Sequence, residues 1–224
     1  MQDTLRDIVR RGANEHWNLD LSEPQLAQFD RYGEMLVEWN TRMNLTRLTT
    51  PRDIAVKHFL DSLALLTVIS LPVEAMLIDV GTGAGLPGLA LKITRPDLRV
   101  TLLDSTAKKL LFCRTVAEEL GLAGVETVHA RAEDAAKRPD LAAKFDCVIA
   151  RAVAPLERLL PWLAPFVSPE GRIAALKGAG VIEELATARA TARRLGLTLE
   201  PLHSVELPEA DEPIVRQIVI AHRK

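Results

Sequence analysis

Glycines are closely spaced after an acidic residue in residues 79–88, in the pattern of a nucleotide-binding loop. They stand at positions 81, 83, 85 and 88, directly after an apolar run that ends with Asp79 and Val80. The backbone of such a loop can turn sharply and approach a ligand closely, because no Cβ intervenes. N–H groups at the start of the following helix favour an anionic group. We expect the ligand to be S-adenosylmethionine, with its carboxylate at the helix start.

A dinucleotide site is the main alternative, since residues 83–88 also match the pattern GxGxxG. Asp104 lies about 20 residues further on, as a site for NAD requires. Three features favour S-adenosylmethionine: Gly81 opens the loop, Asp79 stands two residues before it, and no second mononucleotide-binding half follows to hold nicotinamide. Glycines that merely turn the chain, with no ligand, are a further interpretation.

Acidic residues at the ends of two later strands are candidate contacts for the adenosine half of the cofactor. Asp104 ends the second predicted strand, where a carboxylate can accept hydrogen bonds from both ribose hydroxyls. Glu133 follows the third strand, at a position that reaches an adenine ring. Solvated acids are the alternative interpretation at both positions.

Short apolar runs alternate with amphipathic stretches from Met76 onward, which indicates a parallel sheet with crossover helices. The predicted parallel strands are residues 76–80, 99–104, 125–130, 145–150 and 172–177. After a helix at about 181–195, the extended runs 197–207 and 214–221 predict a hairpin. We therefore predict an α/β fold of the Rossmann-like class, with a seven-stranded, mostly parallel sheet and an antiparallel edge strand.

The first seventy residues predict a helical extension, with the cofactor-binding domain at residues 71–224. Gly12 is expected to end the first helix. Ser22 and Gln25 form a capping box for the second, and a third begins with Thr50 as N-cap and Pro51 at the first helical position.

Composition excludes several classes of protein. A net charge of −2 argues against a strongly basic nucleic-acid protein. No apolar run reaches the roughly 20 residues of a membrane helix, and the polar start, Met1 and Gln2, lacks a secretion signal, so we expect a cytoplasmic protein. Cys113 and Cys147 lie in apolar segments, and we expect both to be buried and to bind no metal.

Basic residues follow the acidic helices and suggest an RNA-binding surface. Between Asn40 and His58, four bases accompany Asp53 alone. Charge runs of this kind are usually solvated faces, so from the residues alone RNA binding and solvation are equally favoured. The candidate RNA-binding residues are Arg42, Arg47, Arg52, Lys57, Lys108, Lys109 and Lys177, the last of which could instead extend along the surface at its strand end.

Several segments inside and outside the glycine loop resemble one family, the bacterial small-subunit (16S) ribosomal RNA guanine-N7 methyltransferases, also called the glucose-inhibited division protein B or RsmG family. The resemblance covers most of the chain. The segments that carry it are residues 39–40, 43–46, 58–62, 79–88, 102–105, 108–109, 131–133, 149–152 and 175–178.

The resemblance implies a class I methyltransferase that uses S-adenosylmethionine to methylate N7 of a specific guanine in 16S ribosomal RNA, as naked RNA or in the small subunit. It leaves the oligomeric state open, and we take a monomer as the expectation. The family's binding positions carry over onto Gly81, Leu86, Asp104, Ser105, Ala132, Glu133 and Arg151. Together with Asp79, Gly83 and Gly85 these form the predicted cofactor site.

Methylation of a ring nitrogen needs alignment of the reacting atoms rather than proton removal, because N7 already has a free lone pair. Residues 151–155 lack the Asn/Asp-Pro-Pro-aromatic motif of exocyclic-amine methyltransferases, and a Pro-Cys pair is absent too. Arg151 is the candidate catalytic residue, which would position guanine or a phosphate with its planar donor fork. Asn44, and His58 with Asp61, are further candidates, although a surface pair of His58 with Asp61 is as favoured.

Two other functions stay open at this point. A small-molecule methyltransferase would carry the same cofactor half, and a nucleotide-binding regulatory module without catalysis would carry the same loop.

Overall fold

The computed structural model describes residues 3–223, so the polar start, Met1 and Gln2, lies outside the described residues, as does Lys224. Helices at the N-terminus precede a sheet that has further helices on both faces. The helices are α1 (Leu5–Arg10), α2 (Glu23–Met43), α3 (Pro51–Ile54), α4 (Asp61–Leu63), α5 (Gly88–Thr94), α6 (Ala107–Glu119), α7 (Ala132–Ala135), α8 (Leu156–Leu163) and α9 (Val181–Arg194). Arg11–His16 and Ala55–Leu60 continue α1 and α3 as π-helical segments, and Ala64–Thr67 continues α4 as a 3₁₀ turn.

Among the described residues, eight strands form one sheet in the order β3-β2-β1-β4-β5-β8-β6, with β7 also paired to β8. The strands are β1 (Met76–Val80), β2 (Arg99–Asp104), β3 (Val125–His129), β4 (Phe145–Arg151), β5 (Val167–Lys177), β6 (Leu197–Leu199), β7 (His203–Glu206) and β8 (Val215–Arg223). The first five are parallel to one another, and β8 is antiparallel to β5, β6 and β7.

The predicted α/β fold and the hairpin are confirmed, with two differences of detail. Residues 197–207 do not form one strand, because the pairing to β8 is interrupted around Pro201, which lacks a backbone N–H, so β6 and β7 are separate. The antiparallel strand β8 lies inside the sheet, between β5 and the pieces β6 and β7, rather than at its edge.

The two faces of the sheet bury different hydrophobic clusters, because alternate residues of a strand point to opposite sides. Leu77 of β1 and Ile149 of β4 belong to the cluster that contains the N-terminal helices, α5 and α6. Ile78 and Val148, their neighbours in the chain, pack with α8 and α9 on the other face. The N-terminal helices thus share a core with one face of the sheet, and the domain boundary at residue 70 stays a prediction.

Capping residues define the starts of the N-terminal helices as the sequence predicts. Ser22 N donates to Gln25 Oε1 (2.9 Å), which completes the capping box of α2, and the Thr50 hydroxyl accepts from Asp53 N (3.1 Å). Pro51 occupies the first position of α3, and the helical segment continues to Thr67.

The expectation that Gly12 ends the first helix is wrong. The chain continues through it as a π-helical segment to His16, and Gly12 is buried. A Cβ at Gly12 would collide with the side chain of Leu60, which is itself fully buried. The glycine allows the first helix and the segment Ala55–Leu60 to pack closely, which is a role in tertiary structure that local sequence rules do not detect.

The structure locates both cysteines. Cys113 and Cys147 are both buried, as expected. No helix among residues 3–223 is long and apolar enough to cross a membrane. Within the same residues, no group of three or more His, Cys, Asp or Glu side chains could hold a metal ion.

Candidate active site

The carboxylate of Asp79 organises the loop between β1 and α5. Its Oδ2 accepts hydrogen bonds from the Thr82 hydroxyl (2.7 Å) and from Gly88 N (2.9 Å), at the two ends of the loop. Asp79 is fully buried, and burial raises its pKa to about 6. The side chain therefore holds the loop in shape from beneath rather than presenting itself to a ligand.

Three glycines of this loop, Gly81, Gly83 and Gly85, adopt backbone conformations that other residues rarely adopt, and two of them are also closely packed. Gly81 has φ +74° and Gly85 has φ +88°, both in the left-handed region. A Cβ at Gly81 would lie 2.8 Å from Val153, and one at Gly85 would lie 2.8 Å from the Tyr32 hydroxyl. Substitution at either position would strain the backbone and displace a neighbour as well.

The expectation that free N–H groups at the start of α5 hold the cofactor's carboxylate needs correction. Gly88 N donates to Asp79, and Leu89 N donates to the Gly85 carbonyl (2.7 Å). These first donors of the helix are already satisfied within the loop, so they are not available to an anion. The loop is thus held by its own internal hydrogen bonds.

Asp104 ends β2 and links the loop to the next crossover. Its Oδ2 accepts from Gly83 N (2.9 Å) and its Oδ1 accepts from Thr106 N (2.8 Å). A carboxylate has about four acceptor positions, so each oxygen can still accept a hydroxyl proton. The geometry thus keeps Asp104 suitable for binding the ribose, while its existing bonds fix its orientation.

A cleft of about 340 Å³ lies where the carboxyl ends of β1, β2 and β3 meet. Its volume is within the range of small-molecule sites, and its place at the carboxyl ends of parallel strands is typical of them. Of the predicted cofactor residues it brings together Gly81, Asp104, Ser105, Ala132 and Glu133. Five predicted cofactor residues are not among those that line it: Asp79, Gly83, Gly85, Leu86 and Arg151.

A larger groove of about 1050 Å³ lies on the N-terminal helices, away from these strand ends. Carboxylates of Asp30, Glu34 and Glu38 line it, together with Arg52 of the predicted RNA-binding set. Acidic walls repel phosphates and carboxylates, and no residue of the glycine loop reaches the groove. The smaller cleft is therefore the candidate cofactor site.

Arg151, at the end of β4, contacts the N-terminal helices. Its Nη1 donates to Asp61 Oδ2 (2.8 Å), and the carbonyls of Lys57 and His58 lie 3.4 and 3.5 Å away. The same carboxylate accepts a bond from Nε of Arg216 on β8. Asp61 is 1% exposed, so the sheet and the helices are joined by a buried ion-pair cluster.

The surface pair of His58 with Asp61 that the sequence suggested does not form. His58 Nε2 lies 2.8 Å from the Thr46 hydroxyl instead, and Asp61 is bound by the two arginines. Burial and the nearby charge of Arg151 lower the pKa of His58 to about 4. Asn44 is the C-cap of α2, in a left-handed conformation.

The predicted RNA-binding residues divide into two groups. Three of them are paired: Arg52 with Asp211 (2.8 Å), Lys57 with Asp53 (2.6 Å) and Lys177 with Glu184 (3.0 Å). The other four form no ion pair within residues 3–223; they are Arg42, Arg47, Lys108 and Lys109. The second group has its charge available for a phosphate.

The family model described as "rRNA small subunit methyltransferase G" (GidB) matches residues 25–214 of the chain. The chain belongs to this family. It is 43% identical over 197 residues to the ribosomal RNA small subunit methyltransferase G of Desulfitobacterium hafniense, covering 88% of this chain and 81% of that one. The protein of the same name from Streptococcus pneumoniae is 40% identical over 208 residues, covering 92% and 86%.

Solved structures of other proteins share the fold of this GidB-family chain. An S-adenosylmethionine-dependent methyltransferase from Aquifex aeolicus has a TM-score of 0.56 at 20% identity, covering 80% of this chain and 96% of that one. A complex of the Haloferax volcanii Trm112 methyltransferase activator with a methyltransferase contains a chain that matches with a TM-score of 0.63 at 13% identity, covering 84% and 96%. The family and the fold predicted from the sequence are both confirmed.

Three residues near the site of this family member were not expected from the sequence. The hydroxyl of Tyr32, on α2, donates to the Ala84 carbonyl in the glycine loop (2.5 Å). Val153 and Trp162 line the cofactor cleft from the loop after β4 and from α8. Each belongs to an element distant in sequence from the loop, and an apolar residue in an amphipathic pattern gives no signal of a ligand.

Asp79→Asn tests how far the buried carboxyl influences the stability of the fold. Because the folded pKa is raised from 3.8 to about 6, the proton is bound more tightly in the folded state. The stabilisation is complete below pH 3.8 and is lost as the pH rises through about 6. We expect the unfolding free energy of the wild type, minus that of Asp79→Asn, to fall by up to ~3 kcal/mol across this window.

Urea unfolding of both proteins at several pH values measures this difference, and the titration of His58 cancels because both proteins share it. A difference that stays flat from pH 4 to pH 6.5 would contradict a buried, protonatable Asp79.

Proposed function

We propose that the chain is a cytoplasmic enzyme that transfers the methyl group of S-adenosylmethionine to N7 of a guanine in 16S ribosomal RNA. Membership of the small-subunit ribosomal RNA methyltransferase family is the observation that carries this proposal. The cleft at the carboxyl ends of β1 to β3 supports it, because it joins a glycine turn to strand-end acids in the arrangement a nucleoside cofactor requires.

The residues of the cleft fit S-adenosylmethionine. Gly81 has no Cβ, so the backbone can lie against the ligand, and Asp104 is oriented by two N–H donors with capacity for the ribose hydroxyls. Glu133, exposed beside the cleft, and Trp162 offer a polar and a flat apolar contact for adenine. S-adenosylmethionine supplies a methyl group activated on a positively charged sulfur.

The residues on the substrate side suit a reaction that requires alignment and no base. Nearby His58 has a pKa lowered to about 4 and is neutral at physiological pH, with Nε2 bound to Thr46. Burial raises the pKa of the Cys113 thiol, which excludes a thiolate nucleophile at this position. Arg151 stands at the end of β4 with its side chain 14% exposed and only Nη1 bound to Asp61, so its part in this proposal is to hold the base or a phosphate in line.

RNA binding in this proposal rests first on Arg42, Arg47, Lys108 and Lys109, which form no ion pair within the described part of the chain. Lys108 and Lys109 stand at the start of α6, directly after Asp104 and Ser105 of the cofactor cleft. Arg52, Lys57 and Lys177 contribute less, because binding a phosphate would first break their ion pairs. Residues 1–70 would then form the helical extension that carries Arg42 and Arg47, with residues 71–224 as the methyltransferase domain.

Transfer of labelled methyl groups tests the function directly. We expect label from S-adenosylmethionine in 16S ribosomal RNA, or in small subunits that lack the mark, at a single guanine that becomes sensitive to cleavage at N7-methylguanine. Binding of the cofactor without transfer would favour the regulatory module instead. Label found only in small molecules would favour the small-molecule methyltransferase.

Arg151→Ala is expected to lower kcat/KM for RNA by about 100-fold, the scale on which misplaced substrates lose rate. Arg151→Lys keeps the charge but not the planar fork, so we expect only partial rescue. Methylation at the wild-type rate by Arg151→Ala, measured by the same label transfer, would remove Arg151 from the mechanism.

Replacing Lys108 and Lys109 together by Gln is expected to weaken RNA binding and to flatten its salt dependence. Two lost phosphate contacts reduce the slope of log K against log salt by about 1.4 to 1.8, depending on whether the RNA there is single-stranded or duplex. The matched control replaces Arg99 and Lys144, exposed bases at the opposite, amino ends of β2 and β4. Equal slopes for the two double variants would place the RNA elsewhere.

A further inference from the structure

Asp61 is a buried acid between two arginines that come from different strands. The residue is 1% exposed, and its two carboxylate oxygens have different partners: Oδ2 accepts from Nη1 of Arg151 and Oδ1 accepts from Nε of Arg216. One negative charge is thus shared by two positive charges. The cluster carries a net charge of +1 at the contact between the N-terminal helices and the sheet.

Each arginine uses only part of its donor set in this cluster. All recorded bonds of Arg151 to residues 3–223 involve Nη1, and the recorded bond of Arg216 involves Nε. The other guanidinium nitrogens of both side chains form no hydrogen bond to residues 3–223. The side chains as a whole are 14% and 21% exposed.

Both arginines stand at the carboxyl edge of the parallel strands. Arg151 is the last residue of β4, and Arg216 precedes Gln217, which pairs with Lys177 at the end of β5. The cofactor cleft lies at the same edge, over β1 to β3. A substrate that reaches the cofactor from the other half of the sheet must pass the ends of β4 and β5.

We propose that Arg151 and Arg216 form a phosphate-binding site for the RNA backbone beside the methylated base, with Asp61 as the positioning residue that orients both guanidinium groups. The proposal rests on the proposed function, because RNA supplies the phosphate. Guanidinium donors match phosphate oxygens in geometry, and two forks with open N–H groups can bind one phosphate from both sides.

A purely structural ion pair explains the arrangement less well. A buried pair gives little net stability, since desolvation offsets the attraction, and one arginine would neutralise Asp61. The second arginine gives the cluster one positive charge in excess of Asp61, on side chains that are partly exposed. An RNA phosphate restores electrical balance at this edge of the sheet.

Arg216→Gln tests the site without touching Arg151. With unmodified small-subunit RNA made by transcription, we expect the affinity to fall about 10-fold, as for loss of a charged hydrogen bond. The slope of log K against log salt should become shallower by about 0.7 to 0.9. The affinity for S-adenosylmethionine, measured by calorimetry, should stay as in the wild type.

Arg172→Gln is the matched control, because Arg172 lies on β5 toward the opposite edge of the sheet, and within residues 3–223 its one ion pair is with Glu200 at 3.7 Å. It removes the same charge and should leave the RNA affinity and slope unchanged. An Arg216→Gln protein that binds RNA like Arg172→Gln would overturn the proposed site. Label transfer separates the two proposals: a wild type that binds RNA and transfers no methyl group contradicts the function, while the affinities still decide the site.

Asp61→Asn tests whether the carboxylate of Asp61 orients the guanidinium groups of Arg151 and Arg216. It keeps both arginine charges, so the salt slope is expected to persist, whereas kcat should fall about 10-fold because the guanidinium groups are no longer oriented. An unchanged kcat would show that Asp61 orients nothing. If Asp61→Asn does not fold, the RNA affinities of Arg216→Gln and Arg172→Gln decide the proposal.

Discussion

The buried carboxylate of Asp79 is the interaction on which the rest of the site depends. By binding Thr82 and Gly88 it closes the loop around a single oxygen, which brings α5 to the end of β1. The positive φ angles of Gly81 and Gly85 are the backbone's means of making this closure. Asp104 then binds Gly83 from the neighbouring strand, so the cleft floor is held by two acids before any ligand arrives.

The N-terminal helices also hold the glycine loop and the strand ends in place. Tyr32 of α2 donates to the loop carbonyl of Ala84, and Asp61 holds the arginines at the ends of β4 and β8. Gln25, the residue that completes the cap of α2, also binds the carbonyls of Ile93 and Thr94 at the far end of α5. The loop, the substrate edge and the crossover helix are therefore each tied to the extension by a polar contact as well as by the shared core.

Features that depend on neighbours in sequence could be predicted, and features that depend on distant residues could not. The strands, the helix caps at Ser22 and Thr50, and the cleft residues Gly81 and Asp104 could be predicted from local patterns. Hydrophobic periodicity, cap residues and strand ends all depend on residues that are close together in the sequence. Arg216 lies 155 positions from Asp61, and Tyr32 lies 52 positions from Ala84, so no spacing rule relates them. The prediction that Gly12 ends a helix was wrong for the same reason, because Leu60, the residue that packs against it, belongs to another helical segment.

Charge distribution explains how a chain with net charge −2 can take an RNA substrate. The acids of α2, among them Asp30, Glu34 and Glu38, line a groove on the helices, whereas Lys108, Arg151 and Arg216 stand at the carboxyl edge of the sheet. Over a Debye length of about 8 Å at physiological salt, a phosphate responds to the nearest charges rather than to the total. An acidic face beside a basic edge also disfavours wrong orientations, because RNA approaching the helices is repelled. The net charge is thus a poor guide to the partner, and the position of the basic residues at one edge of the sheet is a better one.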